Sequence, residues 1–254
     1  MRIGRHLLSD LLRNRVVIGS FLLFALIGWG SFMVEGQAEK ALLILLQLSL
    51  LALPLITMVF GSIYYYNSSD LISLILSQPI ERKTLIWNLY VGLSLAFLAA
   101  YLLGVGLPLL INYPSIESVY LLLSGSLLIF VFTALALLIS TAVQDRVRGM
   151  GVTLILWAFF AFLYDGILLF LMYQYGEYPI ERLILSLSFL NPIDIARISV
   201  IMQTEASALM GLTGAIFTDF FTSAVGMVAS YGAMLLWALL AYLGARRNFL
   251  RKDL

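Results

Sequence analysis

The chain has no cysteine, which excludes disulfides, thiol nucleophiles and thiolate metal sites. Charge is scarce too. Only 11 % of the 254 residues are ionised, against about 25 % in soluble domains. The single histidine, His6, has no second imidazole or thiolate to share a metal and reads as a surface residue. There is no H-E-x-x-H and no G-x-S-x-G. The three lysines, Lys40, Lys83 and Lys252, follow Glu39, Arg82 and Arg251, so the glycine-lysine pair of a Walker A loop is missing. No catalytic residue, metal site or bound cofactor is expected, and the chain cannot bind ATP through such a loop. A net charge of +1, dispersed over loops, offers no nucleic-acid-binding patch.

Apolar residues make up 62 % of the chain, where soluble domains carry about 45–50 %. A membrane-spanning helix needs about 20 of them in a row. Six such runs occur, near 16–34, 41–66, 85–111, 118–143, 150–173 and 222–245. The expected fold is therefore all-α and polytopic, one transmembrane domain over 1–254. It divides into an interfacial helix (1–15), spans one to five (16–173), an external segment (174–221), span six (222–245) and a tail (246–254). The N-terminus has no small-residue cleavage site, so the first run is expected to be a retained anchor.

Basic residues collect in cytoplasmic loops. With the N-terminus inside, all 15 cationic residues except Lys40, Arg182 and Arg197 fall on the cytoplasmic side. Both termini are therefore expected inside a bacterial inner membrane. A seventh span near 183–203 is rejected. It would hold Asp194 and Arg197, each costing about 2.5–3.5 kcal/mol at a helix centre, and it would move the Arg246-Arg247 tail outside. The segment is expected to form two or three short helices that enter the outer leaflet part-way under cover of protein. Pro179 and Pro192 suit first-turn positions, and Glu181 and Asp194 suit positive helix ends. The small-residue stretch from Ala206 to Ala215 would permit close helix approach. Glu177, Leu183, Asp194 and Arg197 are the candidate contacts for a partner outside the membrane, with Asp194 and Arg197 pairing at i, i+3.

Residues 5–15 place Leu7, Leu8, Leu11 and Leu12 on one face, as in a helix lying on anionic membrane lipids. Between spans two and three, Asn67-Ser68-Ser69-Asp70 offers N-cap residues and Gln78-Pro79 a stop. The intervening helix, about 13 Å long, cannot cross a bilayer. Asp70, Ser73 and Ser77 share one face, while Leu71, Ile72, Leu74, Ile75 and Leu76 cover the rest. So apolar a helix has to dock on the bilayer or on a partner. Asp165 lies inside the fifth run. At that depth an ionisable residue is a functional candidate, but no second titratable group is expected at similar depth for a relay, which favours a carboxyl hydrogen-bonded to neighbouring helices. Met202 and Met210 read as packing residues rather than copper ligands.

Six spans, an interfacial first helix, a short helix after span two and a re-entering segment before span six resemble the permease subunits of ABC-2 (type V) transporters. The more specific strings are Leu76-Ser77-Gln78-Pro79-Ile80-Glu81-Arg82-Lys83-Thr84, Gln144-Asp145-Arg146-Val147-Arg148-Gly149, Asn191-Pro192-Ile193-Asp194-Ile195-Ala196-Arg197 and Leu209-Met210-Gly211-Leu212-Thr213-Gly214-Ala215. They look like the permease of complexes that assist copper-site assembly in nitrous oxide reductase. The resemblance implies a homodimer with two cytoplasmic ABC ATPases that carry ATP and magnesium. It also implies a periplasmic β-helix protein and a lipoprotein copper chaperone nearby. Helix 69–79, with Ser69, Asp70, Leu71, Ser73, Leu74, Ser77 and Gln78, would be the coupling helix to the ATPase, and 174–221 would pass motion outward. Two other readings stand beside this one. An ABC-2 exporter of a lipid, peptide or drug would need a cavity or lateral opening. A stand-alone secondary transporter would show internal repeats, and none is seen between 1–111 and 118–245.

Overall fold

The computed structural model describes residues 15–76, 81–175, 181–204 and 220–251. Six helices are long and apolar enough to cross a membrane: α1 (Arg15–Val34), α2 (Ala38–Asn67), α4 (Arg82–Asn112), α5 (Ile116–Ala142), α6 (Arg146–Gln174) and α9 (Ala224–Arg251). Each contains the run expected for it except that α5 ends one residue earlier, at Ala142, and α9 starts two residues later. Short helices fill two of the connections: α3 (Ser69–Leu76) between α2 and α4, and α7 (Glu181–Ser188) and α8 (Pro192–Ile201) between α6 and α9. No strand occurs among the described residues. Of the expected interfacial helix only Arg15 is described, as the first residue of α1. Its other residues with His6, the coupling-helix residues Ser77 and Gln78, and Glu177, Pro179 and 206–215 with Met210 lie outside the described residues.

Helix α5 is the hub, packed against α2, α4, α8 and α9. Of its most apolar stretch 67 % is buried, against 11 % for α6, whose wide outer face meets no other part of the chain among the described residues. Small residues set the close approaches, as lipid-embedded helices require. A Cβ at Gly28 of α1 would stand 2.3 Å from the Gly104 carbonyl of α4, and one at Gly104 would meet Phe24. Tyr101, fully buried, lies over Gly125 and donates its hydroxyl to the Leu121 carbonyl at 3.2 Å.

Two of the long helices contain a π turn, Leu102–Gly106 in α4 and Phe159–Leu163 in α6. A π turn inserts a residue and offsets the i→i−4 ladder, and such bulges concentrate at functional sites. The bulge in α6 is where the external segment attaches.

Candidate functional site: the staple between α6 and the re-entrant helix

Helix α8 starts as its sequence predicts. Asn191 is the N-cap and its side chain accepts from the Ile193 amide at 3.0 Å; Pro192 takes the first turn and Asp194 sits in it. The Asn191 side chain does a second job. It is fully buried, and its Nδ2 donates to the Phe160 carbonyl at 2.9 Å, inside the π turn of α6. Phe160 is the midpoint of α6, about 21 Å from either end at 1.5 Å per residue. The Asn191-Pro192 turn therefore reaches the middle of the bundle. Non-helical backbone at such depth persists only where protein covers it, and here Pro192, Ile193, Ile195 and Ala196 are buried.

Two further contacts fasten the same two segments, and another ties α9 to the external one. The Tyr164 hydroxyl donates to the Leu187 carbonyl at 2.6 Å. Trp237 of α9 donates its indole N–H to the Phe189 carbonyl at 3.3 Å. Arg197 donates through one guanidinium nitrogen to Asp165 Oδ2 at 2.5 Å, and the same nitrogen lies 3.3 Å from Asp194 Oδ1. Two carboxylates thus share one cation. The expected i, i+3 pairing of Asp194 and Arg197 is present. The view of Asp165 as lacking a titratable neighbour is corrected: a pair some thirty residues downstream comes back to its depth because α8 re-enters the bundle. An unpaired Asp there would cost about 2.5–3.5 kcal/mol on the insertion scale, and Arg197 removes most of that reason for exclusion.

The triad is not saturated. Arg197 Nε and Asp194 Oδ2 are buried with no hydrogen-bond partner. Burial pushes the Asp194 carboxyl up, to about 8; the nearby Asp165 adds to this and Arg197 opposes it. Beside the triad, Gln47, Leu50, Leu51, Phe162, Asp165 and Arg197 border a cavity of about 330 Å³ between α2 and α6. Among the described residues no group of three or more His, Asp or Glu could hold a metal ion.

The candidate partner contacts separate in space. Leu183 of α7 is 54 % exposed, whereas Asp194 is 3 % exposed and turned inward with Arg197. The Asp194 carboxylate is therefore unavailable to an outside partner. Its charge suggested exposure, and its counter-ion explains the burial. Among the apolar residues nearby, Ile184, Ile193 and Ile195 are covered and Leu190 is exposed. Met202 packs with Ile184 and Phe221 in a small cluster. At the other end, the backbone of α3 starts at Ser69, whose hydroxyl donates to the Tyr66 carbonyl at 2.9 Å. Ile72 is buried, while Leu71 and Leu74 are 61 % and 64 % exposed. These two lie three apart, on neighbouring positions of one face.

Asn191, Tyr164, Phe160 and Gln47 were not among the sequence candidates. Asn191-Pro192 announces a helix start, but nothing local says that the amide also reaches a carbonyl in another helix.

Residues 69–254 match the model of an ABC-2 family transporter protein. The chain is 30 % identical to a protein of Pseudomonas aeruginosa named a probable ABC transporter permease protein NosY, over 99 % of this chain and 98 % of that one. It is 30 % identical to a protein of the same name from Stutzerimonas stutzeri, over 81 % and 82 %. A family match covering most of the chain, with one relative similar over nearly its whole length and another over four fifths of it, shows that this multi-pass membrane protein belongs to the ABC-2 transporter family as a permease similar to NosY.

Proposed function

We propose that this chain is the membrane subunit of an inner-membrane ABC complex that serves copper-site assembly in nitrous oxide reductase. The observation that carries the reading is its near full-length likeness to permeases named NosY. The chain acts as a homodimer with both termini cytoplasmic and contributes no catalysis of its own. Two NosF-like ATPases bind ATP and magnesium and seat on α3 through Leu71 and Leu74. A NosD-like β-helix protein docks around Leu183 and Leu190, with a NosL-like copper chaperone beside it. Movement at α3 passes along the helices to α6, and the staple of Asn191, Tyr164 and Arg197 hands it to α7 and α8. Nothing in this route requires copper to cross the membrane.

The test is genetic and biochemical. Deleting the reading frame should leave nitrous oxide reductase exported but deficient in copper. A tagged chain should co-purify an ATPase and a repeat-rich periplasmic protein from cells respiring nitrogen oxides. A deletion strain with fully metallated reductase would overturn the copper role. The cavity between α2 and α6 favours a second reading, export of an amphiphile. That reading would gain if the same complex moved a lipid probe across vesicles at a rate coupled to ATP.

A further inference from the structure

The last turns of α9 form a second polar site, far along the chain from the staple. Leu243, Arg246, Arg247, Leu250 and Arg251 line an open cavity of about 320 Å³. Steps of three and four residues keep these five side chains on one helical face, so the three cations converge. Among the described residues no ion pair involves any of them. The Nε of Arg246 is buried with no hydrogen-bond partner. Three guanidinium groups around one hollow, with no counter-ion among the described residues, call for an anion.

The surface beneath the arginines says which kind. The same face continues toward the middle of α9 as Leu236, Leu239, Leu240 and Leu243, which are 54 %, 51 %, 58 % and 43 % exposed. On a membrane-crossing helix such a stripe meets acyl chains. Acyl-contacting leucines and a three-arginine crown therefore follow each other along one groove, with Leu250 set among the cations. A glycerophospholipid carries its groups in this order, phosphate directly above the chains. Arginine binds phosphate bidentately and desolvates more readily than lysine. Free phosphate would use the crown but leave the leucine stripe unexplained, and an acidic protein surface would have no use for Leu243 at the hydrocarbon boundary.

We propose that the groove at the end of α9 is a binding site for one anionic glycerophospholipid, its phosphate held by Arg246, Arg247 and Arg251 and its chains along the leucine stripe. The test uses the full chain in detergent, titrated with dioleoyl phosphatidylglycerol or dioleoyl phosphatidylcholine and read by native mass spectrometry. The anionic lipid should be retained in preference to the zwitterionic one. In the variant carrying Arg246→Gln, Arg247→Gln and Arg251→Gln its apparent affinity should fall about a hundredfold, the size expected of three interfacial cations. A control carrying Lys83→Gln, Arg146→Gln and Arg148→Gln removes equal charge from other loops and should retain the lipid. If the triple variant does not insert, Arg247→Gln alone should weaken binding by about fivefold. Equal loss in the control, equal retention of the two lipids, or displacement by excess inorganic phosphate would each overturn the site.

Discussion

Arg197 stands between two carboxylates, and the two contacts are unequal: 2.5 Å to Asp165 and 3.3 Å to Asp194. Replacing it leaves Asp165 without its counter-ion and Asp194 without the guanidinium beside it. With the Arg197 side chain 22 % exposed and that of Asp165 28 % exposed, water softens the loss. Arg197→Gln is expected to destabilise by roughly 1–3 kcal/mol, and Arg197→Gln with Asp165→Asn by less than the two single changes together. Thermal unfolding in nanodiscs reads both. A pH dependence follows from Asp194, whose folded carboxyl sits above its ordinary value because of burial. The folded state then holds a proton that the unfolded state releases, so stability is full in acid. It is expected to decline as pH rises from about 4, with the loss complete once pH has passed about 8. Asp194→Asn should flatten that slope. A wild-type profile that rises across the window would mean that Asp194 is ionised in the folded protein.

Among the elements, α3 and α8 show how differently two short helices can be read. The start of α8 was legible, because Asn191-Pro192 combines a cap with a first-turn proline, and so was the spacing of Asp194 and Arg197 at i, i+3. Its depth was not. A buried ion pair and an exposed one have the same sequence, and only the return of the chain onto the π turn of α6 separates them. For α3 the sequence placed an apolar helix too short to span, and the structure divides its face, with Ile72 buried on α2 and Leu71 and Leu74 left outside. Leu74→Asp is expected to leave insertion intact and to abolish stimulation of the ATPase, since a charge in a docked apolar face costs roughly 1–3 kcal/mol. Full ATPase stimulation by that variant in the reconstituted complex would make α3 a surface helix. The orientation of the spans is open to thiol chemistry because the chain has no cysteine. An introduced Arg82→Cys should resist an impermeant reagent added from the periplasm, and Glu117→Cys should react.

At the scale of the molecule, the six spans and their order could be read from apolar run lengths, because a helix in lipid must satisfy its backbone within itself. The staple could not, since it joins residues 160–165 to residues 187–197, some twenty to thirty positions further along the chain. That junction is where the transmitter reading is most exposed to test. Asn191 supplies both the cap of α8 and the bond to the π turn, and the two jobs can be separated chemically. Asn191→Asp keeps an acceptor for the Ile193 amide but puts a carboxylate against the Phe160 carbonyl, and Tyr164→Phe removes the bond to Leu187. If α6 drives the external helices through this staple, the double variant should assemble, bind its ATPase and hydrolyse ATP near the normal rate. Copper loading of nitrous oxide reductase in cells should nevertheless fall by about tenfold or more, as expected when a coupling worth roughly 1–3 kcal/mol is lost. Loss of ATPase binding together with copper loading would point to a folding defect, for which Tyr164→Phe alone is the milder check. Normal copper loading with both contacts gone would show that motion reaches the periplasm by another route, with Trp237 and α9 the next elements to sever.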